Sequence, residues 1–176
     1  SNSSMKAQKW TLVKHFDGFP KDSDLELVEE DLPEIKDGEV LIEALYLSVD
    51  PYMRPYSASL PLGATMIGQQ VAKVIQSKAA EYPVGQLVVA TVGWRTRTVL
   101  NAVNPPPSGT LPTILKMPDL GGIDPSLGLS VLGMTGATAY FGFLRLCTPK
   151  EGETVLVNAA AGAVGSMVGQ IAKIKG

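Results

Sequence analysis

Thr154-Val-Leu-Val-Asn158-Ala-Ala-Ala-Gly162-Ala-Val-Gly165-Ser-Met-Val-Gly169-Gln-Ile-Ala172 is the stretch on which the fold turns. Thr154–Val157 is a short apolar run rich in β-branched residues, which predicts a buried strand. Gly162 and Gly165 predict a turn into a helix. Val164, Met167, Val168 and Ile171 recur at helical spacing and give that helix one apolar side. Lys173 and Lys175 follow in its last turn, where positive charge is favourable. A strand, a glycine turn and a helix N-terminus form the unit that holds a dinucleotide pyrophosphate. A glycine at the turn lets main-chain N–H groups approach phosphate without an intervening Cβ. Gly165 is expected to let the helix pack close to its strand. The full pattern is Gly-x-Gly-x-x-Gly, and Ala160 stands in the first place. On the turn alone, a bound cofactor and an alanine-glycine helix start with nothing bound are both open. The acidic or basic ribose reader expected some ~20 residues further on would fall beyond Gly176.

Upstream of this unit the grammar is that of β-structure. Trp10–Val13, Leu25–Val28, Glu39–Ser48, Gln70–Gln76 and Gln86–Val92 read as strands, with Asp17-Gly18, Phe19-Pro20, Asp37-Gly38, Pro83 and Gly85 punctuating them. That spacing predicts a partly open β-barrel. From Arg95 to Gly122 five prolines (105, 106, 107, 112 and 118) exclude a regular helix and leave little room for a central strand. A surface connection is expected there. At Asp124-Pro125 a helical cap and a first-turn proline open a segment running to Leu146, interrupted at Gly133 and Gly136 and closed by Thr148-Pro149. The expected organisation is therefore an expression scar at 1–4, a barrel with its proline-rich connection over 5–123, and an incomplete α/β unit over 124–176.

Bulk properties remove several function classes. Hydrophobic residues make up 45% and charged residues 18%, as in a folded domain. A net charge of -2 gives no footprint for nucleic acid or an anionic membrane. With one cysteine, Cys147, and one histidine, His15, an intrachain disulfide is impossible and a zinc site lacks its usual ligands. Cys147 is expected to be a small buried hydrophobe, and His15 a surface or strand-end residue. The uncharged runs Pro125–Leu144 and Thr154–Ala172 approach the length of a membrane span. Their polar residues and glycines make buried core the better reading.

Four motifs occur in order: Val49-Asp50-Pro51-Tyr52-Met53-Arg54, Met66-Ile-Gly-Gln-Gln70-Val-Ala-Lys73, Gly133-Met-Thr-Gly-Ala-Thr-Ala-Tyr140-Phe-Gly142, and Val157-Asn-Ala-Ala-Ala-Gly162-Ala-Val-Gly165-Ser. From about Lys9 to Gly176 the chain resembles the zinc-independent medium-chain dehydrogenase/reductases, in their alkenal/one reductase branch. The resemblance implies a GroES-like barrel followed by the start of a Rossmann domain, cut short after its first strand-turn-helix unit. It implies NADPH as cofactor and a homodimeric, cytoplasmic enzyme. The implied reaction is reduction of the carbon–carbon double bond of α,β-unsaturated aldehydes and ketones, 15-oxo-prostaglandins among them. Gly162, Ala163, Val164 and Gly165 are the implied pyrophosphate contacts, with Thr138 and Tyr140 toward the nicotinamide. Tyr52 is the first choice for the substrate carbonyl, with packing at the barrel rim as the alternative. Met53 and Met134 are implied wall residues. Arg54 stands either for attraction of a fatty-acid carboxylate or for an exposed structural arginine.

Thr135 departs from the family, whose members usually have proline there. The Pro105–Pro107 stretch also looks longer than in mammalian members. The 176-residue chain by itself is expected to be inactive. The competing readings are a quinone reductase of the same superfamily and a non-catalytic interaction protein that keeps the barrel.

Overall fold

A computed structural model of the chain describes residues 5–107 and 113–176. The expression scar expected at 1–4 and Pro112 lie outside the described residues. The chain divides into two compact units between Asp119 and Leu120.

The first unit is antiparallel β. Strand β1 (Lys6–Leu12) pairs with β2 (Leu25–Asp31) as a two-stranded ribbon. The second sheet contains β3 (Glu39–Leu47), β4 (Gln70–Ser77), β5 (Leu87–Ala90), β6 (Arg97–Asn101) and β7 (Ile114–Lys116), in the order β6-β3-β4-β5-β7. This is the half-barrel of a GroES-like domain. Alternation sets which side chains enter its core: Val40, Ile42, Ala72, Val74, Val88 and Ala90 are buried together with Leu100 and Ile114.

The strands expected from β-favouring runs between turn residues in this unit are present. The proline-rich connection adds two that the sequence hid. β6 and β7 lie at the two edges of the sheet, the positions that prolines nearby tolerate. The register of β3 against β4 shifts between Ala44 and Tyr46, as at a β-bulge. A short helix, α1 (Met53–Ser57), follows β3. Its Pro55 falls in the first turn, where no N–H is needed.

The second unit is helical. Asp124 accepts a hydrogen bond from the Ser126 N–H at 2.8 Å and caps a 3-10 turn over Pro125–Leu129. Helix α2 (Met134–Phe141) follows, then a wide π-type segment over Gly142–Cys147, closed by Thr148 in the left-handed region at φ 46°. Helix α3 (Ala163–Ile174) completes the unit. The break falls at Gly133, the N-cap of α2, whereas Gly136 lies inside the helix and does not interrupt it; both glycines meet close backbone. A Cβ on Gly136 would lie 1.8 Å from the Val131 carbonyl oxygen, and one on Gly133 would lie 2.3 Å from that of Gly128.

Two expectations fail in this unit. Thr154–Val157 is not a strand: among the described residues it pairs with no other segment. A strand exists only where a neighbour completes its ladder of hydrogen bonds. Cys147 is exposed rather than buried, at the end of the π-type segment. None of the helices is long and apolar enough to cross a membrane among the described residues.

Candidate functional site

In the first unit the predicted substrate-side residues fall at the exit of β3. Asp50 and Pro51 turn the chain, and the Met53 N–H donates to the Asp50 carbonyl at 3.1 Å. Met53 is buried and its sulfur accepts from the Asp50 N–H at 3.4 Å. It is therefore part of the packing beneath the turn. Tyr52 is half-buried beside it, with its ring edge-on to Tyr56 at 5.9 Å. Burial pushes the Tyr52 phenol above the ordinary tyrosine range, and the Asp50 carboxylate adds to the effect. A phenol shifted in this sense stays protonated, a donor, throughout the neutral range. Arg54 is exposed on α1, while its carbonyl accepts the Ser57 hydroxyl at 2.8 Å. His15 is exposed, its Nε2 lying 2.9 Å from the Leu60 carbonyl oxygen.

In the second unit the glycine turn has a definite geometry. The Gly162 N–H donates to the Ala159 carbonyl at 2.9 Å, closing a turn that feeds α3. The left-handed residue is Ala159, at φ 49°, one position before the motif's first glycine place. Gly165 is buried, and a Cβ there would lie 2.4 Å from the Ala159 carbonyl oxygen and 3.0 Å from the Ala160 Cα. What Gly165 accommodates is the backbone of its own turn, not a strand as sequence reasoning expected. Gly162, at the N-cap, is exposed and extended (φ -74°, ψ 166°), with no side-chain cap and no acidic residue in the first turn of α3. The N–H groups of Ala163, Val164 and Gly165 have no acceptor within the helix. They share the positive end of its dipole. These residues fit a bound phosphate, as no carboxylate competes for the same groups.

Beside this turn lies a mainly apolar groove of about 780 Å³. Thr138 and Phe143, residues 155–158, Val164 and Val168 are among its lining residues. Thr138 and Val164 thus share one cavity, and the Thr138 hydroxyl donates to the Met134 carbonyl at 2.7 Å. Met134, the first residue of α2, is half-buried. Tyr140 is not among the lining residues: it is exposed and packs edge-on against Phe141 at 5.3 Å. Thr135 donates its hydroxyl to the Ser130 carbonyl at 2.9 Å. The Gly136 N–H bonds the same oxygen at 3.0 Å.

Sequence reasoning missed Phe143 and Asn158 as groove residues and Trp94 entirely. Phe143 carried a signal, since it lies four residues after Ala139 and both are buried.

With both sites described, the class is defined. Residues 8–105 match the family described as N-terminal domain of oxidoreductase, and the chain belongs to that family. More particularly, it is 51% identical over 172 residues to prostaglandin reductase 1 of Rattus norvegicus, covering 98% of this chain and 50% of that protein. It is 37% identical over 176 residues to the NADPH-dependent curcumin reductase of Escherichia coli, covering 96% and 48%. The solved structure of CurA in complex with NADPH from Vibrio vulnificus superposes with a TM-score of 0.82 at 37% identity, over 96% of this chain and 49% of that one. The chain spans about half the length of the relatives it matches.

Proposed function

We propose that the chain supplies the substrate-side barrel and the opening of the NADP-binding Rossmann domain in an NADPH-dependent reductase. Its substrates are α,β-unsaturated aldehydes and ketones, including 15-oxo-prostaglandins. On this reading the barrel runs through residue 123 and the Rossmann domain begins at 124. The observation that carries the reading is the identity to prostaglandin reductase 1 over 98% of the chain, a span that includes both the Tyr52 turn and the glycine turn.

NADPH, when bound, supplies the hydride that adds to the carbon β to the carbonyl. Ala163, Val164 and Gly165 would hold its pyrophosphate through main-chain N–H groups, with Gly162 at the N-cap letting the anion approach without a Cβ, and Thr138 would lie toward the nicotinamide. Tyr140 takes the same role on the family's pattern, with its exposed ring free to meet a ligand. The Tyr52 phenol donates a hydrogen bond to the substrate carbonyl oxygen, where negative charge accumulates as the enolate forms. Its upward-shifted pKa suits a donor that must not ionise. Protonation of the α carbon completes a saturated carbonyl product. Met134 forms pocket wall, Met53 keeps to the packing beneath the Tyr52 turn, and Arg54 attracts the carboxylate of a fatty-acid substrate. The working enzyme is a cytoplasmic homodimer.

The test is consumption of NADPH by the full-length protein with a 15-oxo-prostaglandin, a simple alkenal and a quinone in parallel. Enone turnover roughly ten-fold or more above quinone turnover is expected. Turnover led by the quinone favours a quinone reductase of the same superfamily, and absence of any turnover refutes the enzyme reading. The 176-residue chain alone is expected to be inactive. A dinucleotide binds at a sheet's switch point, and the second unit has no strand among the described residues.

A further inference from the structure

We propose that Trp94 is a positioning residue for Tyr52: its indole fixes the exit of β3, and through it the turn that carries the phenol. The proposal rests on the reading of Tyr52 as the carbonyl donor. Ser48, buried at the end of β3, is held at three atoms. Its N–H donates to the Gln69 carbonyl at 2.8 Å, and its hydroxyl accepts from the Gln69 N–H at 3.0 Å. Its carbonyl accepts from the Trp94 indole N–H at 3.0 Å. The first two bonds are to the backbone of the residue just before β4. Only the third comes from a side chain, 46 residues away.

The indole also supports the turn from below. A Cβ on Gly68 would lie 2.6 Å from the Met53 methyl carbon and 3.0 Å from the Trp94 indole nitrogen. The Met53 side chain and the indole edge therefore converge on the bare face of one glycine. Met53 in turn accepts the Asp50 N–H. The indole thus grips the chain at Ser48, two residues before Asp50, and shares the face of Gly68 with the Met53 side chain that accepts the Asp50 N–H. Tyr52 lies in the turn between Asp50 and Met53. Trp94 is itself anchored, its N–H on the Met66 carbonyl at 2.9 Å and its carbonyl accepting the Trp10 N–H at 3.0 Å. A side chain held by the barrel frame thus holds the reactive turn.

The experiment uses the full-length protein with W94F, Y52F and the double variant. The benzothiophene isostere of tryptophan at position 94, which keeps the ring and removes only the N–H, serves if W94F does not fold. In W94F the enone kcat/KM is expected to fall roughly ten-fold while the KM for NADPH changes less than about two-fold. In the Y52F background the same change should cost less than about two-fold, because Trp94 acts through Tyr52. Full additivity of the two losses overturns the proposal. Amide hydrogen exchange supplies a readout that does not need turnover. Exchange across 49–54 should quicken about ten-fold in W94F, with the rest of the barrel unchanged. Unchanged exchange there overturns the positioning role whatever the kinetics. If the wild-type protein does not reduce enones and W94F still shows the local change in exchange, the enzyme reading is refuted and the positioning of the turn stands.

Discussion

Replacing Gly165 by alanine opposes two effects of known size. Alanine is favoured over glycine inside a helix by about 1 kcal/mol. Against that, the new Cβ would stand 2.4 Å from the Ala159 carbonyl oxygen, with the Ala159 carbonyl carbon and the Ala160 Cα each at 3.0 Å. All three are backbone atoms of the turn that closes on the Gly162 N–H, so none swings aside as a flexible side chain does. Overpacking of that kind costs about 1–3 kcal/mol, and a contact this short belongs at the upper end. The net expectation is a loss of about 1–2 kcal/mol for G165A. Gly169, one turn on in the same helix, is the control: a Cβ there meets nothing within 4 Å. G169A should therefore gain up to about 1 kcal/mol. Hydrogen exchange of the α3 amides reads both. They should exchange about 5–30 times faster in G165A, and up to about five times slower in G169A. Equal or slower exchange in G165A would refute the close approach of the turn to the helix.

Other expectations follow from single contacts. Burial keeps the Tyr52 phenol neutral, so its folded pKa lies above the unfolded value. The stability it contributes is complete below the ordinary tyrosine range of about 10 and is lost as pH rises through the folded value. Ultraviolet titration of the protein against Y52F should show the missing phenol ionising above free tyrosine; ionisation at or below it contradicts the burial argument. Thr135→Val removes the hydroxyl bonded to the Ser130 carbonyl but leaves the Gly136 N–H on that oxygen. It should cost about 1 kcal/mol in urea unfolding, and a neutral result would mean that the hydroxyl bond adds nothing.

The barrel was readable because its strands obey the simplest pattern. In β3 and β4, runs such as Val40–Ile42 and Val71–Val74 announce their burial through composition alone. β6 and β7 escaped notice because five prolines dominate their neighbourhood, and only the sheet order reveals that both are edges. α1 was hidden behind Asp50-Pro51, which reads as a turn. The error at Thr154–Val157 has a different cause. Its composition is that of a strand, but a strand is a relation between two segments, and composition describes only one. The chemistry divided the same way. The glycine turn was visible because its parts are neighbours in sequence, and its steric reason was still misassigned. Trp94 left no local trace, since Ser48 and Gly68, against which its indole lies, are both far from it in sequence.

The strand order β6-β3-β4-β5-β7 has a kinetic consequence. β6 does not join its sequence neighbour β5 but crosses to the far edge of the sheet, where Arg97 meets Glu43 from 54 residues away. At its start the Thr96 hydroxyl receives the Gln8 N–H across 88 residues. Closing such loops costs entropy before any contact returns it. The β4-β5 pair can form across a short connection, whereas β3 joins it across the longer segment that holds α1, and the outer strands must wait for this frame. Folding in the millisecond-to-second range expected of non-local β-topologies follows. Until β6 docks, the edge of β3 stays unpaired, and in that interval the chain is most exposed to pairing with another copy of itself.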